Sequence, residues 1–177
     1  MIKQAHKKQK TFHPACLEAQ RVHRKERNMD ILFINGSPNK SGNTAALAQE
    51  LLKGKEFETL NLVDYKLYTY GQDFADDQFQ EILNKMKAAN KIVIGSPVYW
   101  HNMSGAVRTL LDRFYGPVSQ GELKGKSLYF LFQGAAPTKQ MLEFGEYTMS
   151  RFAALYGMTY MGMASSMTDV EKLKKQL

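Results

Sequence analysis

From residue 30 onward the chain alternates short runs of β-branched and aromatic residues with longer stretches in which apolar residues recur every three or four positions. "DILFIN" (30–35) predicts a buried strand, and "NTAALAQELLK" (43–53) predicts a helix with Ala and Leu at helical spacing. Gly54 stands just past that helix, where a left-handed cap residue belongs. "FETLNL" (57–62) is a second strand, followed by a tyrosine-rich loop over 63–75. In "DDQFQEILNKMKAAN" (76–90), Phe79, Ile82, Leu83 and Met86 form one stripe, with acidic residues in the first turn and Lys in the last, as the helix dipole favours. "KIVIGSPVYW" (91–100) supplies a third strand, "IVIGS", which Pro97 is expected to end by removing a backbone donor and forcing a turn. Ser104 can cap the next helix, "GAVRTLLDRFY", whose stripe is Val107, Leu110, Leu111 and Phe114.

"KSLYFLFQ" (126–133) is apolar without interruption, which predicts a central strand buried on both faces. A long helix over 139–156, a fifth strand in "GMTYMGMAS" and a last helix in "TDVEKLKKQL" complete the pattern. Thr168 and Glu171 read as the capping box of that last helix. Strands alternating with helices imply an α/β fold with a parallel sheet covered on both faces, because right-handed crossovers place the helices there. Ligands of such sheets sit beyond the carboxyl ends of the strands, where the strand order reverses. The loops after strands one, three and four are therefore the ones to inspect.

Charge divides the chain in two. Residues 1–28 hold eight Lys or Arg against Glu18 and Glu26, which is +6 of the total +7 and leaves +1 for the remaining 149 residues. We read 1–28 as a basic, disordered extension and 29–177 as one globular domain. The nearly neutral body argues against a nucleic-acid partner. The extension lacks the apolar middle of a secretory signal, and no run approaches the ~20 apolar residues of a membrane span. The one cysteine, Cys16, lies in the extension. Thiolate chemistry and Cys-ligated zinc or iron–sulfur sites are thereby excluded from the body, no metal site is expected, and a reducing, cytoplasmic setting fits. Five methionines between 149 and 167 read as adaptable core or interface filling rather than a ligand groove.

The loop "NGSPNKSGNT" (35–44) joins a strand to a helix and offers what an anion needs: helix N-terminal amides, the hydroxyls of Ser37, Ser41 and Thr44, and the bare backbone of Gly42. It is not a Walker loop, since five residues rather than four separate Gly36 from Gly42 and Asn43 stands where that motif has Lys. Nor does a second glycine follow Gly36 by two positions, as the dinucleotide fingerprint requires.

"GSPNKSGNTAAL" together with "GSPVYWHNMSGAVRTLLDRF" closely resembles the NADPH-dependent FMN reductases, over about residues 29–163. The resemblance implies a flavodoxin-like three-layer sandwich with strand order 2-1-3-4-5, bound FMN, and NADPH or NADH as reductant. It implies that Ser37, Ser41, Gly42, Asn43 and Thr44 hold the FMN phosphate, with Lys40 either near it or in water. Pro97, Val98, Tyr99, Trp100, His101, Asn102 and Met103 would border the flavin ring, and Gln133, Gly134 and Ala135 would close its far side. His101 is the body's one histidine and reads as a positioning residue, a catalytic candidate only for protonating a reduced quinone. The implied activity passes reducing equivalents from NAD(P)H to a quinone, an azo or nitro aromatic, a flavin or a metal ion. A flavodoxin-type electron carrier is the alternative, set against by the near-neutral body. A homodimer is implied by the resemblance alone.

Overall fold

The computed structural model describes residues 30–177. The expected basic extension over 1–28 lies outside the described residues. The elements are β1 (Ile31–Asn35), α1 (Asn43–Leu51), β2 (Glu58–Asn61), a 3-10 turn (Leu62–Asp64), α2 (Phe79–Ala88), β3 (Lys91–Tyr99), β4 (Asn102–Met103), α3 (Gly105–Asp112), β5 (Ser127–Gln133), α4 (Lys139–Leu155), β6 (Thr159–Ala164) and α5 (Met167–Leu173). The parallel strands run in the order β2-β1-β3-β5-β6, while the two-residue β4 pairs antiparallel with the end of β3. With β4 set apart, this is the expected order 2-1-3-4-5.

Successive residues of a strand point to opposite faces, and the two cores follow that rule. Leu32, Ile34, Ile92, Ile94, Leu128 and Phe130 face α2, α3 and α4. Ile31, Phe33, Val93, Tyr129 and Leu131 face α1 and α5. β5 is buried along its centre on both faces, as its unbroken apolar run predicts. The stripe Val107, Leu110, Leu111 and Phe114 is buried, and Gly54 sits at φ +81° beyond α1.

Three local expectations are corrected. β3 does not stop at Pro97 but runs on to Tyr99, with Pro97 opposite Gln133 of β5. The Gly36 amide donates to the Gly95 carbonyl at 2.7 Å, and backbone groups alternate sides along a strand. The missing N–H of Pro97 therefore faces the β1 side, where the ladder has already ended at Asn35 and Gly95. The cap of α5 is Ser166, whose Oγ accepts the Asp169 amide at 3.2 Å, rather than Thr168 with Glu171. The Asp169 carboxylate in turn takes the hydroxyls of Ser165 and Ser166, so the competing signal lay two residues upstream.

Asp76 and Asp77, expected in the first turn of α2, precede it. Asp76 binds Lys66 at 2.7 Å, and the Arg113 guanidinium forks onto Asp77, Nη2 reaching Oδ1 at 3.0 Å while Nη1 also donates to the Tyr68 carbonyl. These contacts moor the tyrosine-rich loop. Burial raises the Asp77 pKa, but the Arg113 hydrogen bonds and the amides of Phe79 and Tyr68 outweigh it and hold the carboxyl below its ordinary range.

Candidate functional site

Sheet order reverses between β1 and β3, and there the strands also end at different heights. β1 stops at Asn35 while β3 continues four residues past their last pair. The loop 36–42 occupies the step. Its shape comes from short side-chain bonds: the Ser37 amide donates to Asn35 Oδ1 at 3.1 Å, the Asn39 amide to Ser37 Oγ at 3.1 Å, and the Ser41 amide to Asn39 Oδ1 at 3.0 Å. Each is an Asx- or Ser-type turn that spans two residues. Asn35 and Asn39 are thus site-forming residues that the sequence reading passed over, although an Asn two positions before a Ser was a visible signal.

The loop is pinned to the sheet at Gly36. A Cβ there would lie 2.1 Å from Val107 Cγ2 and 2.9 Å from the Gly95 carbonyl, so only glycine permits this approach. The buried Ser104 hydroxyl completes the joint: it donates to the Gly36 carbonyl at 2.8 Å and caps α3 by accepting the Val107 amide at 3.3 Å. The Ser104 amide donates to Ser96 Oγ at 2.8 Å. The predicted cap is confirmed, and it also ties β1 to β3.

α1 begins differently from the helices capped by Ser104, Thr138 and Ser166. Its N-cap is Gly42, which brings no side chain. Among the described residues no acceptor takes the amides of Asn43, Thr44 or Ala45, and Thr44 and Ala45 are buried. The first amides of a helix have no partner within it, and with no side-chain cap these remain free to meet a ligand at the positive end of the helix dipole. The arrangement fits an anion.

Ser37, Asn39, Gly42, Asn43, Pro97, Val98, Tyr99, Gln133, Gly134 and Ala135 line a cleft of about 340 Å³. Val98, Gly134 and Ala135 also line a neighbouring space of about 250 Å³ with Trp100, His101, Pro137 and Met141. The cleft, alone or joined with this smaller space, is on the scale of a small-molecule site, which runs from roughly 300 to 1,000 Å³. A Cβ on Gly134 would sit 3.0 Å from Val98 Cβ, so glycine keeps the two walls close.

β3 and β4 are joined by the two-residue turn Trp100–His101, and both residues are left-handed, at φ +47° and +64°. Two-residue hairpins of this twist usually carry Asn-Gly, and each ordinary residue held there costs about 1–2 kcal/mol. Trp100 gains no burial in return, being 95% exposed.

Other expected site residues do not themselves line the cleft. Lys40 pairs with Asp64 at 2.6 Å, Ser41 is exposed with its hydroxyl 3.4 Å from Asn39, and Asn102 accepts the Met103 amide at 2.8 Å. Met103 is buried in the core beneath the hairpin. Thr44 is buried, its Oγ1 receiving Gln133 Nε2 at 3.1 Å. No group of three or more potential metal ligands occurs among the described residues.

The family model of the NADPH-dependent FMN reductases matches residues 29–171. The chain belongs to that family. It is similar to an iron–sulfur flavoprotein of Archaeoglobus fulgidus, 38% identical over 97 residues that make up 48% of each chain. It is also similar to the NADPH azoreductase of a Bacillus species, 32% identical over 87 residues, 48% of this chain and 49% of that one. The chain spans about half the length of the curated relatives it matches. Among solved structures, the Trp repressor binding protein of Bacillus subtilis superposes with a TM-score of 0.64 at 18% identity, covering 82% of this chain and 95% of that one. That likeness supports the flavodoxin-like fold. As a family member with Cys16 as its one cysteine, the chain has no set of thiolates for a cluster.

Proposed function

We propose that the cleft binds FMN without a covalent link and that the protein is an NAD(P)H-dependent oxidoreductase. NADPH or NADH would be its reductant and a quinone, an azo or nitro aromatic, a free flavin or a metal ion its acceptor. One observation carries the reading: in a member of this family, three unclaimed amides at the start of α1 stand beside a cleft whose other walls come from β3 and β5. The azoreductase name of one relative supports a small aromatic acceptor.

Bound FMN supplies two-electron acceptance and release. The chain's part is placement. The amides of Asn43, Thr44 and Ala45, with the Ser37 and Ser41 hydroxyls and the bare backbone of Gly42, hold the phosphate; Lys40 is engaged by Asp64 and lends only a diffuse positive field. Pro97, Val98, Tyr99, Gly134 and Ala135 form the walls for a flat ring, with Gln133 at their base. Trp100 and His101 stand at the edge, where a second aromatic molecule can stack and where His101 can give a proton to a reduced acceptor. Met103 anchors the hairpin from below, and Asn102 fixes its return strand. Reductant and acceptor then take turns in one cleft, which gives ping-pong kinetics.

We further propose a homodimer, supported by the exposed Tyr115, Tyr147 and Leu155 that line a groove of about 360 Å³ and by the exposed Phe144 of α4, and a cytoplasmic setting. No helix among the described residues is long and apolar enough to cross a membrane.

The test is the visible spectrum of the protein loaded with FMN and mixed anaerobically with NADPH or NADH, alongside its mass in solution. Bleaching within seconds is expected. Bound flavin that neither nucleotide reduces would reject the oxidoreductase in favour of a carrier, failure to bind FMN would reject the cofactor, and a monomer mass at micromolar concentration would reject the pairing.

A further inference from the structure

The Thr44–Gln133 bond joins residues 89 positions apart and crosses from α1 to the end of β5. Thr44 is only 1% exposed, and its methyl group packs where a Cβ on Gly95 would come within 2.6 Å of it, so its side chain is held in one rotamer. A hydroxyl has one proton and can accept as well as donate. With Gln133 Nε2 donating to Oγ1, that proton remains to be given elsewhere, and the unclaimed amides of Asn43, Thr44 and Ala45 mark where an acceptor would sit.

We propose that Gln133 is a positioning residue for phosphate recognition: its amide turns the Thr44 hydroxyl so that the single proton points at the anion held by α1. The inference rests on the FMN reading and deepens it. Gln133 was expected to serve the ring side of the cofactor. Its bond to Thr44 gives it a second duty, at the phosphate, that no spacing in the sequence reveals. The consequence concerns discrimination. FMN and riboflavin share the ring and differ in the phosphate, so the Gln133–Thr44 pair contributes to the ratio of their affinities.

The experiment measures dissociation constants of FMN and riboflavin by quenching of flavin fluorescence, for the wild type, Gln133→Leu, Thr44→Val, the double variant and Thr44→Ser. Hydrogen bonds to charged groups set the expected scale. Gln133→Leu and Thr44→Val should each lower the preference for FMN over riboflavin by roughly tenfold. The double variant should lose no more than either single one, because both remove the same contact. Thr44→Ser should keep the preference. Riboflavin binding certifies that each variant is folded. Equal losses for FMN and riboflavin, or single losses that multiply in the double variant, would overturn the inference while leaving the FMN site in place. A wild type that binds neither flavin would overturn the FMN reading, and the inference with it.

Discussion

Replacing Ser104 by alanine tests whether one hydroxyl joins the first loop to the third strand. Ser104 is 3% exposed, and its Oγ serves two partners, donating to the Gly36 carbonyl and accepting the Val107 amide. Loss of a helix cap costs about 1 kcal/mol, and a buried acceptor left without its donor costs about 1–3 kcal/mol more. The sum is about 2–4 kcal/mol. At roughly 2–4 °C per kcal/mol for a domain of this size, the thermal midpoint should fall by about 5–15 °C. The control is Thr138→Ala, which removes an exposed cap on the Met141 amide (3.3 Å) and should cost only the cap, about 1 kcal/mol. Urea unfolding of the two variants with a common slope measures the difference directly. If Ser104→Ala loses no more than Thr138→Ala, the Gly36 carbonyl does not depend on that hydroxyl and the joint we describe does not exist.

Two further substitutions probe the packing behind the site. Gly145→Ala places a Cβ 2.4 Å from Cε1 of the fully buried Phe132. Helical propensity favours the change by roughly 1 kcal/mol, yet overpacking against an immobile ring should leave a net loss of about 1–2 kcal/mol in urea unfolding, and a gain would refute the contact. Asp77→Asn tests the mooring of the tyrosine-rich loop. Because the native carboxyl is held below its ordinary range, its contribution is present above the unfolded value of about 3.9 and is lost as pH falls through the native one. Unfolding at pH 7 should cost about 1–3 kcal/mol for this half-buried pair, and the gap between wild type and Asp77→Asn should close toward low pH. A gap that stays constant would refute the charge argument.

The elements were legible because their periods are. β1 and β3 are runs of apolar residues bounded by turns, and α2 and α3 carry clean stripes, so the alternation of strand and helix could be read directly. The step between β1 and β3 was not legible in the same way. Pro97 is a strong local stop signal, but whether a proline breaks a strand depends on which neighbour its missing amide would face, and that is a property of the sheet. The hairpin at Trp100 and His101 lacks the Gly and Asn that normally announce left-handed turns, so the turn was attributed to Pro97, which lies within β3. Met103 was expected at the ring because it follows them closely. A strand alternates faces, and the alternation sends it into the core. Thr44 was assigned to the phosphate by its place in the motif, while its partner Gln133 lies 89 residues away and carries no periodic signal.

The depth of the cleft follows from the unequal lengths of three strands. β1 ends at Asn35, opposite Gly95, whereas β3 and β5 remain paired as far as Pro97 and Gln133 and β3 continues to Tyr99. The sheet therefore has a ledge on its β1 side, and the chain leaving β1 must turn into it. It can do so closely only because Gly36 and Gly95 lack side chains where Val107, Phe33 and Thr44 crowd in. α1 consequently starts against the sheet, with Thr44 packed on Gly95 and the uncapped amides of the helix beside the ledge. Lengthening β1 by one pair would fill the ledge with backbone, and a Cβ at Gly95 would push α1 off it. The uncapped end of α1 and the cleft at the ends of β3 and β5 are thus produced by the same early termination of one strand.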